Sequence, residues 1–342
     1  MCRLQSISKE LGMLAAIASI LFIVPTGIGL AQSPLRPPSE ELTEAIKLIG
    51  ERRNTEAVDL LNKAITRNGT NPDAWFYLGL AYIDLAKIKE ATKALERAIE
   101  LDPSFANAHL AFSDVLLRTS KLEKAASEAR RAFELQPDNP YAHYTYAFIS
   151  FRAGAMADVI DHADIAIKQK PDFVEAYLIK AQALINRYGL PEPSLDEATK
   201  EHYKQLYRSA AEPLARYVEL TRNQESAEIW GNQAQLLSSV PPSGKSEVFV
   251  GREVTTKARL ISKPEPTYTE AARQYQVEGT VVLKAVFSSS GKVTNIRIYR
   301  TLPSGLTEQA VKAARRIQFT PAVVDGKNVS MWIQLEYNFN LY

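Results

Sequence analysis

The chain of 342 residues has a single cysteine, Cys2. A disulfide framework is excluded, and so is any thiolate metal site in the body of the protein. Stability has to come from packing. Histidine is also scarce: the four are His109, His143, His162 and His202, so nothing beyond position 202 offers an imidazole. An excess of one charge is missing too, since 41 Lys and Arg face 39 Asp and Glu. The net +2 gives no bulk electrostatic pull toward DNA or RNA. Glycine and proline are not in excess, which leaves the composition of a globular protein, and the length points to two domains. What charge there is lies unevenly. Residues 251–342 hold 13 Lys and Arg against 7 Asp and Glu, a modestly basic terminal region. Such a surface draws acidic partners or anionic lipid, or simply keeps the domain soluble.

The first residues do have one apolar run. Arg3 and Lys9 precede Leu11–Val24, which only Gly12 and Ser19 interrupt, and Pro25, Thr26 and Gly27 end it. Gly29 and Ala31 then supply small residues at the −3 and −1 positions of a cleavage site before Gln32. Residues 1–31 read as a secretory signal or, left uncleaved, as a membrane anchor of about 20 residues. Either way the expected location is the periplasm or cell envelope. The proline-bearing stretch 32–39 reads as a linker.

A period of 34 runs through the middle. Pro103, Pro137 and Pro171 are spaced by it, and in the same phase stand Trp75-x2-Leu78-Gly79-x2-Tyr82, then Ala91-x3-Leu95-x2-Ala98. Ala57 and Leu61 precede these by one period, and Ala125, Ala129 and Ala132 follow by one. Small residues let two helices approach, large ones fill the gap to the next pair, and proline stops one helix before the next begins. The pattern resembles the tetratricopeptide repeat, an all-α solenoid, with units at about 40–71, 72–105, 106–139, 140–173 and 174–222 in a region 40–237. That resemblance implies a peptide-binding groove lined by the first helix of each unit. The corresponding residues are Phe76, Leu80, Ile83, Leu110, Leu117, Arg118, Tyr144, Phe148, Phe151 and Arg152, with the arginines suited to a carboxylate. After Tyr188 the period fails. A long polar helix from about Leu195 to Thr221 and another from Gln224 to Ser239 are expected as a degenerate last repeat and a cap.

Beyond a linker at 238–251 the period changes to two. Val281, Leu283, Ala285 and Phe287 share one face of a strand from Gly279, Ser288–Gly291 is a turn, and Lys292–Arg300 is a second strand. Leu306, Ala310, Ala313, Ala314 and Ile317 keep helical spacing. From Val329 to Tyr342 apolar and polar residues alternate in a long last strand. The motifs Pro266-x-Tyr268-Thr269-x2-Ala272, Gly279-x-Val281, Gly291-x-Val293, Ala313-Ala314 and Ile317-x-Phe319-x-Pro321-Ala322 resemble the TonB C-terminal domain of the energy transducer TonB family. Thr269 stands where that family has proline, and Ile317 where it has tryptophan. The resemblance implies a small α+β domain over 252–342, in a multidomain chain. It also implies that a sheet edge takes an extended segment of a TonB-dependent outer-membrane receptor by strand addition. The expected edge is the last strand, with Ser330, Trp332, Gln334, Glu336, Asn338 and Asn340 flanking the guest.

No converging set of catalytic groups is present, so an enzyme is not expected, nor any cofactor or metal. Gly244-Lys245-Ser246 lacks the glycine that a phosphate loop needs at position 239, where serine stands. His109 and His143 occupy the repeat position of Trp75 and read as packing residues. The leading expectation is an envelope adaptor that binds proteins, not nucleic acid, and meets a membrane only through an uncleaved N-terminus. An inner-membrane-anchored energy transducer is the alternative. Against it, the apolar segment carries no histidine, and a repeat array replaces the long proline-rich spacer of transducers. A scaffold that forms a homodimer through its terminal domain is the third.

Overall fold

The computed structural model describes residues 39–189, 196–238 and 248–341. The targeting segment and the Gly244-Lys245-Ser246 triplet lie outside them. Among the described residues no helix is long and apolar enough to cross a membrane.

Helices come first, in the order α1 (Glu40–Gly50), α2 (Asn54–Arg67), α3 (Pro72–Asp84), α4 (Ile88–Leu101), α5 (Ala106–Arg118), α6 (Leu122–Leu135), α7 (Pro140–Arg152), α8 (Met156–Gln169) and α9 (Val174–Tyr188). The starts of α3, α5, α7 and α9 keep the period of 34. Two backbone features repeat with it. Arg52, Ala86, Ser120 and Gly154 are left-handed, with φ of 61°, 56°, 54° and 81°. In each case the next amide reaches back five residues: Arg53 to Leu48, Lys87 to Tyr82, Lys121 to Leu116 and Ala155 to Ser150, at 2.8–3.0 Å. This is the Schellman closure, which turns the chain sharply and satisfies the last carbonyls of the helix. The second feature is a ring donor. Trp75 Nε1 donates to the Gly69 carbonyl at 2.9 Å and the Tyr177 hydroxyl to Pro171 at 3.1 Å. His109 and His143 set Nε2 3.1 and 3.0 Å from the Pro103 and Pro137 carbonyls. Each of the four spans six residues to the preceding turn, which explains why Trp, His, His and Tyr succeed one another there. Small residues do what their spacing implies: a Cβ on Gly79 would fall 2.6 Å from Leu95 Cγ.

The chain divides into two compact units, the first ending at Ile149 and the second starting at Ser150. The second therefore holds the last repeats together with the terminal sheet. After α9 come α10 (Glu197–Arg208), α11 (Ala211–Leu220) and α12 (Gln224–Ser238). The single long helix expected over 195–221 is broken at Ser209-Ala210. Pro213, in the first turn of α11, has no amide to give and would clash with the carbonyl four residues back, so one helix cannot run through. Nor is this region a polar cap. Ala210, Leu214, Tyr217, Ile229, Trp230 and Gln233 are buried.

The terminal elements are β1 (Val248–Phe249), β2 (Arg259–Ser262), α13 (Glu270–Gln274), β3 (Gly279–Phe287), β4 (Val293–Arg300), α14 (Leu306–Arg315), β5 (Gln318–Thr320), β6 (Ala322–Val324) and β7 (Lys327–Phe339). The main sheet runs β1-β7-β3-β4, with β6 also on β7, and β2 pairs with β5 separately. The core beneath it is built by Leu283, Phe287, Leu335, Tyr337 and Phe339 with Leu306, Ala310 and Ala314 of α14. The hairpin, the helix and the long strand lie where the sequence puts them. The short strands β1, β2, β5 and β6 and the helix α13 are additions.

Candidate peptide-binding site

Strand β7 starts from a two-residue turn, Asp325-Gly326, whose φ values of 48° and 75° are those of a hairpin with matching twist. From Met331 the alternation holds. Met331, Leu335, Tyr337 and Phe339 are buried, while Gln334, Glu336 and Asn338 are exposed. Burial, with Glu265 nearby, pushes the Tyr337 hydroxyl up to about 12. Trp332, half-buried on the polar face, lies under the cations of Lys284 and Arg297, 5.4 and 5.0 Å from the ring.

One side of β7 is fully paired with β3, antiparallel, from Phe339 against Gly279 to Met331 against Phe287. On the other side β1 runs parallel to it, Val248 opposite Ser330 and Phe249 opposite Met331. The sequence makes the whole of Ser330–Asn340 an open edge. In the structure β1 covers the start of it and Asn340 falls past the strand's end, because the expected linker 238–251 contributes a strand of its own. Beyond Met331 no strand among the described residues lies on that side. The Lys263 ammonium donates to the Glu336 carbonyl at 2.7 Å, which marks the direction in which that carbonyl points. With a period of two, Trp332, Gln334 and Asn338 aim their backbone groups the same way.

The opposite edge strand, β4, is capped by side chains at Ile298 and at Thr301 just past its end. Gln233 of α12 accepts from the Ile298 amide at 3.1 Å and donates to its carbonyl at 3.3 Å. Asn186 of α9 does the same at Thr301, at 2.6 and 3.1 Å. The Tyr207 hydroxyl adds a bond to the Ile298 carbonyl at 2.6 Å, and burial raises its pKa far above the usual phenol range. A carboxamide has one donor and one acceptor spaced like those of a backbone residue, so each mimics one residue of a neighbouring strand. The same helices grip α14. Trp230 Nε1 donates to the buried Glu308 carboxyl at 2.8 Å, whose pKa burial raises. Lys312 pairs with Glu225 at 2.8 Å and Arg315 with Glu228 at 3.0 Å. Part of the terminal domain's basic excess is thus neutralised within the chain.

The row of solenoid residues has a different setting. Phe76, Leu80, Ile83, Leu110, Leu117, Arg118, Tyr144, Phe148 and Phe151 are all buried. Phe76 packs its ring 4.9 Å from Phe105. Arg118 is paired with Asp114 at 2.7 Å, both largely buried. Half-buried Arg152 donates to the carbonyls of Tyr275 and Gln276, the latter at 3.0 Å, and burial lowers its pKa. Both guanidiniums thus already have partners where a ligand carboxylate was expected. Among the described residues no group of three or more His, Cys, Asp or Glu is arranged to hold a metal ion.

Residues 264–341 match the family described as Gram-negative bacterial TonB protein C-terminal. Residues 48–115 and 110–172 match tetratricopeptide repeat families. The chain carries tetratricopeptide repeats and a TonB C-terminal domain. Protein TonB of Klebsiella pneumoniae is 32% identical over 80 residues, 23% of this chain and 33% of that protein. Protein TonB of Salmonella typhimurium LT2 is 35% identical over 63 residues, 18% of this chain and 26% of that protein. The chain thus spans a third or less of the length of these curated relatives. Among solved structures, MamA has a TM-score of 0.42 at 18% identity, covering 51% of this chain and 96% of that one. YrrB, a TPR protein with an unusual peptide-binding site, has 0.42 at 16% identity, covering 55% and 89%.

The two departures from the TonB pattern are accommodated within the TonB-type domain. Thr269 caps α13 by accepting from the Ala272 amide at 3.1 Å and donates to the Ser304 carbonyl at 2.6 Å. Ile317 is buried, so a smaller apolar residue fills the tryptophan position. Sequence reasoning missed Gln233, Asn186, Lys263 and β1. Of these only Val248-Phe249-Val250 carried a signal, a short apolar run inside the supposed linker.

Proposed function

We propose that this chain is an exported, non-enzymatic envelope adaptor whose TonB-type domain takes an extended peptide of a TonB-dependent outer-membrane receptor onto β7. The observation that carries this is the asymmetry of the sheet. The end of β4 is capped by Gln233 at Ile298 and by Asn186 at Thr301, whereas β7 past Met331 has no neighbouring strand among the described residues. Main-chain bonds to the outward groups of Trp332, Gln334, Glu336 and Asn338 supply the affinity, and Trp332 and the polar side chains flank the guest. The repeats hold a second protein partner. A ligand for the row from Phe76 to Arg152 has to replace the contacts that now bury it.

The test is titration of the chain with a synthetic peptide from the periplasmic segment of such a receptor. Gln334→Pro removes one outward amide without touching the β3 ladder and should weaken binding about tenfold, roughly one charge-neutral hydrogen bond. Gln334→Ala should bind like wild type. Equal binding by all three rules out strand addition at β7.

The matches to two TonB proteins favour a second reading, an inner-membrane-anchored energy transducer. N-terminal sequencing of the mature protein separates the two: a chain beginning at Gln32 has lost the anchor.

A further inference from the structure

The seat assigned to the guest is partly taken by the protein itself. β1 is two residues long, half-buried, and lies parallel to β7 opposite Ser330 and Met331. It goes no further because the chain turns away. The Val250 amide is taken by the Glu253 carboxylate at 2.8 Å, and the Glu253 amide returns to the Val250 carbonyl at 2.8 Å. Thr256 then pairs with Val323, 3.0 and 2.8 Å, on the neighbouring hairpin. Further along, the Lys263 ammonium holds the Glu336 carbonyl, a backbone acceptor that an added strand would need. The stretch from β1 to Lys263 therefore occupies the β7 edge at two points, and among the described residues no strand covers the rest.

We propose that β1 is a resident strand that competes with the guest, and that the guest enters in the orientation β1 already has, parallel to β7. This rests on the peptide-binding reading of β7. Three physical points support it. Two ladder positions on an exposed edge give little stability, so β1 can leave without unfolding the sheet, which β3 and β4 sustain. A tether keeps the local concentration of β1 near millimolar, so even a weak strand is usually seated. The part of the edge it covers, opposite Ser330 and Met331, is contiguous with the rest of β7, so a guest longer than about five residues meets it. Docking a long guest thus displaces β1 from β7.

The competition is testable with the full chain and a probe made from it, a synthetic peptide of residues 245–252 (Lys-Ser-Glu-Val-Phe-Val-Gly-Arg). The variant Val248→Pro/Phe249→Pro removes both β1 amides. If β1 is seated about nine-tenths of the time, the variant should bind the probe about tenfold more tightly than wild type. Val248→Gly/Phe249→Gly, a gentler change, should lie between them, and unchanged circular dichroism confirms the fold of each. A spin label on the probe's C-terminus should broaden the Gln334 and Glu336 amides. Broadening of Lys327 and Asn328 instead would mean an antiparallel guest and would overturn the orientation. Equal affinity for wild type and variants, with the receptor peptide still bound by all, would refute the competition and leave the adaptor intact. Binding of the probe to the variant with no receptor peptide bound by any form would make the edge an internal latch. That result removes the guest and the competition with it.

Discussion

His109 shows how one repeat position is held together. Its Nδ1 lies 2.6 Å from the Glu128 carboxylate and its Nε2 3.1 Å from the Pro103 carbonyl, so both nitrogens face acceptors. Burial alone would lower its pKa, but the bonds to Glu128 and Pro103 outweigh it and the net shift is upward. A raised folded-state value means that this stabilisation is complete below the ordinary imidazole pKa, and fades as pH rises through the folded one. His109→Phe keeps the ring and removes both bonds. It should cost about 1–2 kcal/mol at pH 5.5, and the gap from wild type should shrink by pH 8.5. Urea denaturation at the two pH values checks this. A gap that widens with pH contradicts it.

The helical elements were the most legible part of the sequence, because their signal lies in side-chain size. Gly79, Ala98, Ala132 and the 34-spaced prolines announce close pairs and helix ends directly. The left-handed turn residues were not legible, since three of the four are Arg52, Ala86 and Ser120 and only Gly154 has the expected type. An L-residue there pays for its Cβ, which the Schellman bonds and packing offset. Ala86→Gly should therefore raise stability by about 0.5–1 kcal/mol despite the added chain entropy. Thermal unfolding with a lower midpoint for the variant would refute this account of the turn. The β4 edge was hidden for another reason. Gln233 and Asn186 look like ordinary polar helix residues, and only the tertiary fold brings them to Ile298 and Thr301. Gln233→Leu leaves the Ile298 amide buried without its acceptor. A loss of about 1–3 kcal/mol is expected in denaturant unfolding of the chain.

For the molecule as a whole, the boundary read from the sequence near residue 238 marks a change of secondary structure but not of compactness. Helices α9 to α12 belong with the terminal sheet. Buried Trp230 and Gln233 of α12 bond to Glu308 and Ile298 of the terminal domain. The apolar and polar faces of β7 could be read from alternation alone. Its edge could not, because pairing partners two residues long, such as β1, leave no periodicity to detect. Carboxamides cap the end of β4, while β7 past Met331 has no strand beside it among the described residues; that contrast supports the proposal that β7 receives a peptide, and the proposal has a direct measurement. Backbone amide exchange should be followed residue by residue in the full chain, with and without the receptor peptide. Slowed exchange at Gln334, Glu336 and Asn338, with Ile298 unchanged, is the predicted result. Bound peptide that leaves those three amides exchanging as before, or that protects β4 instead, would contradict it.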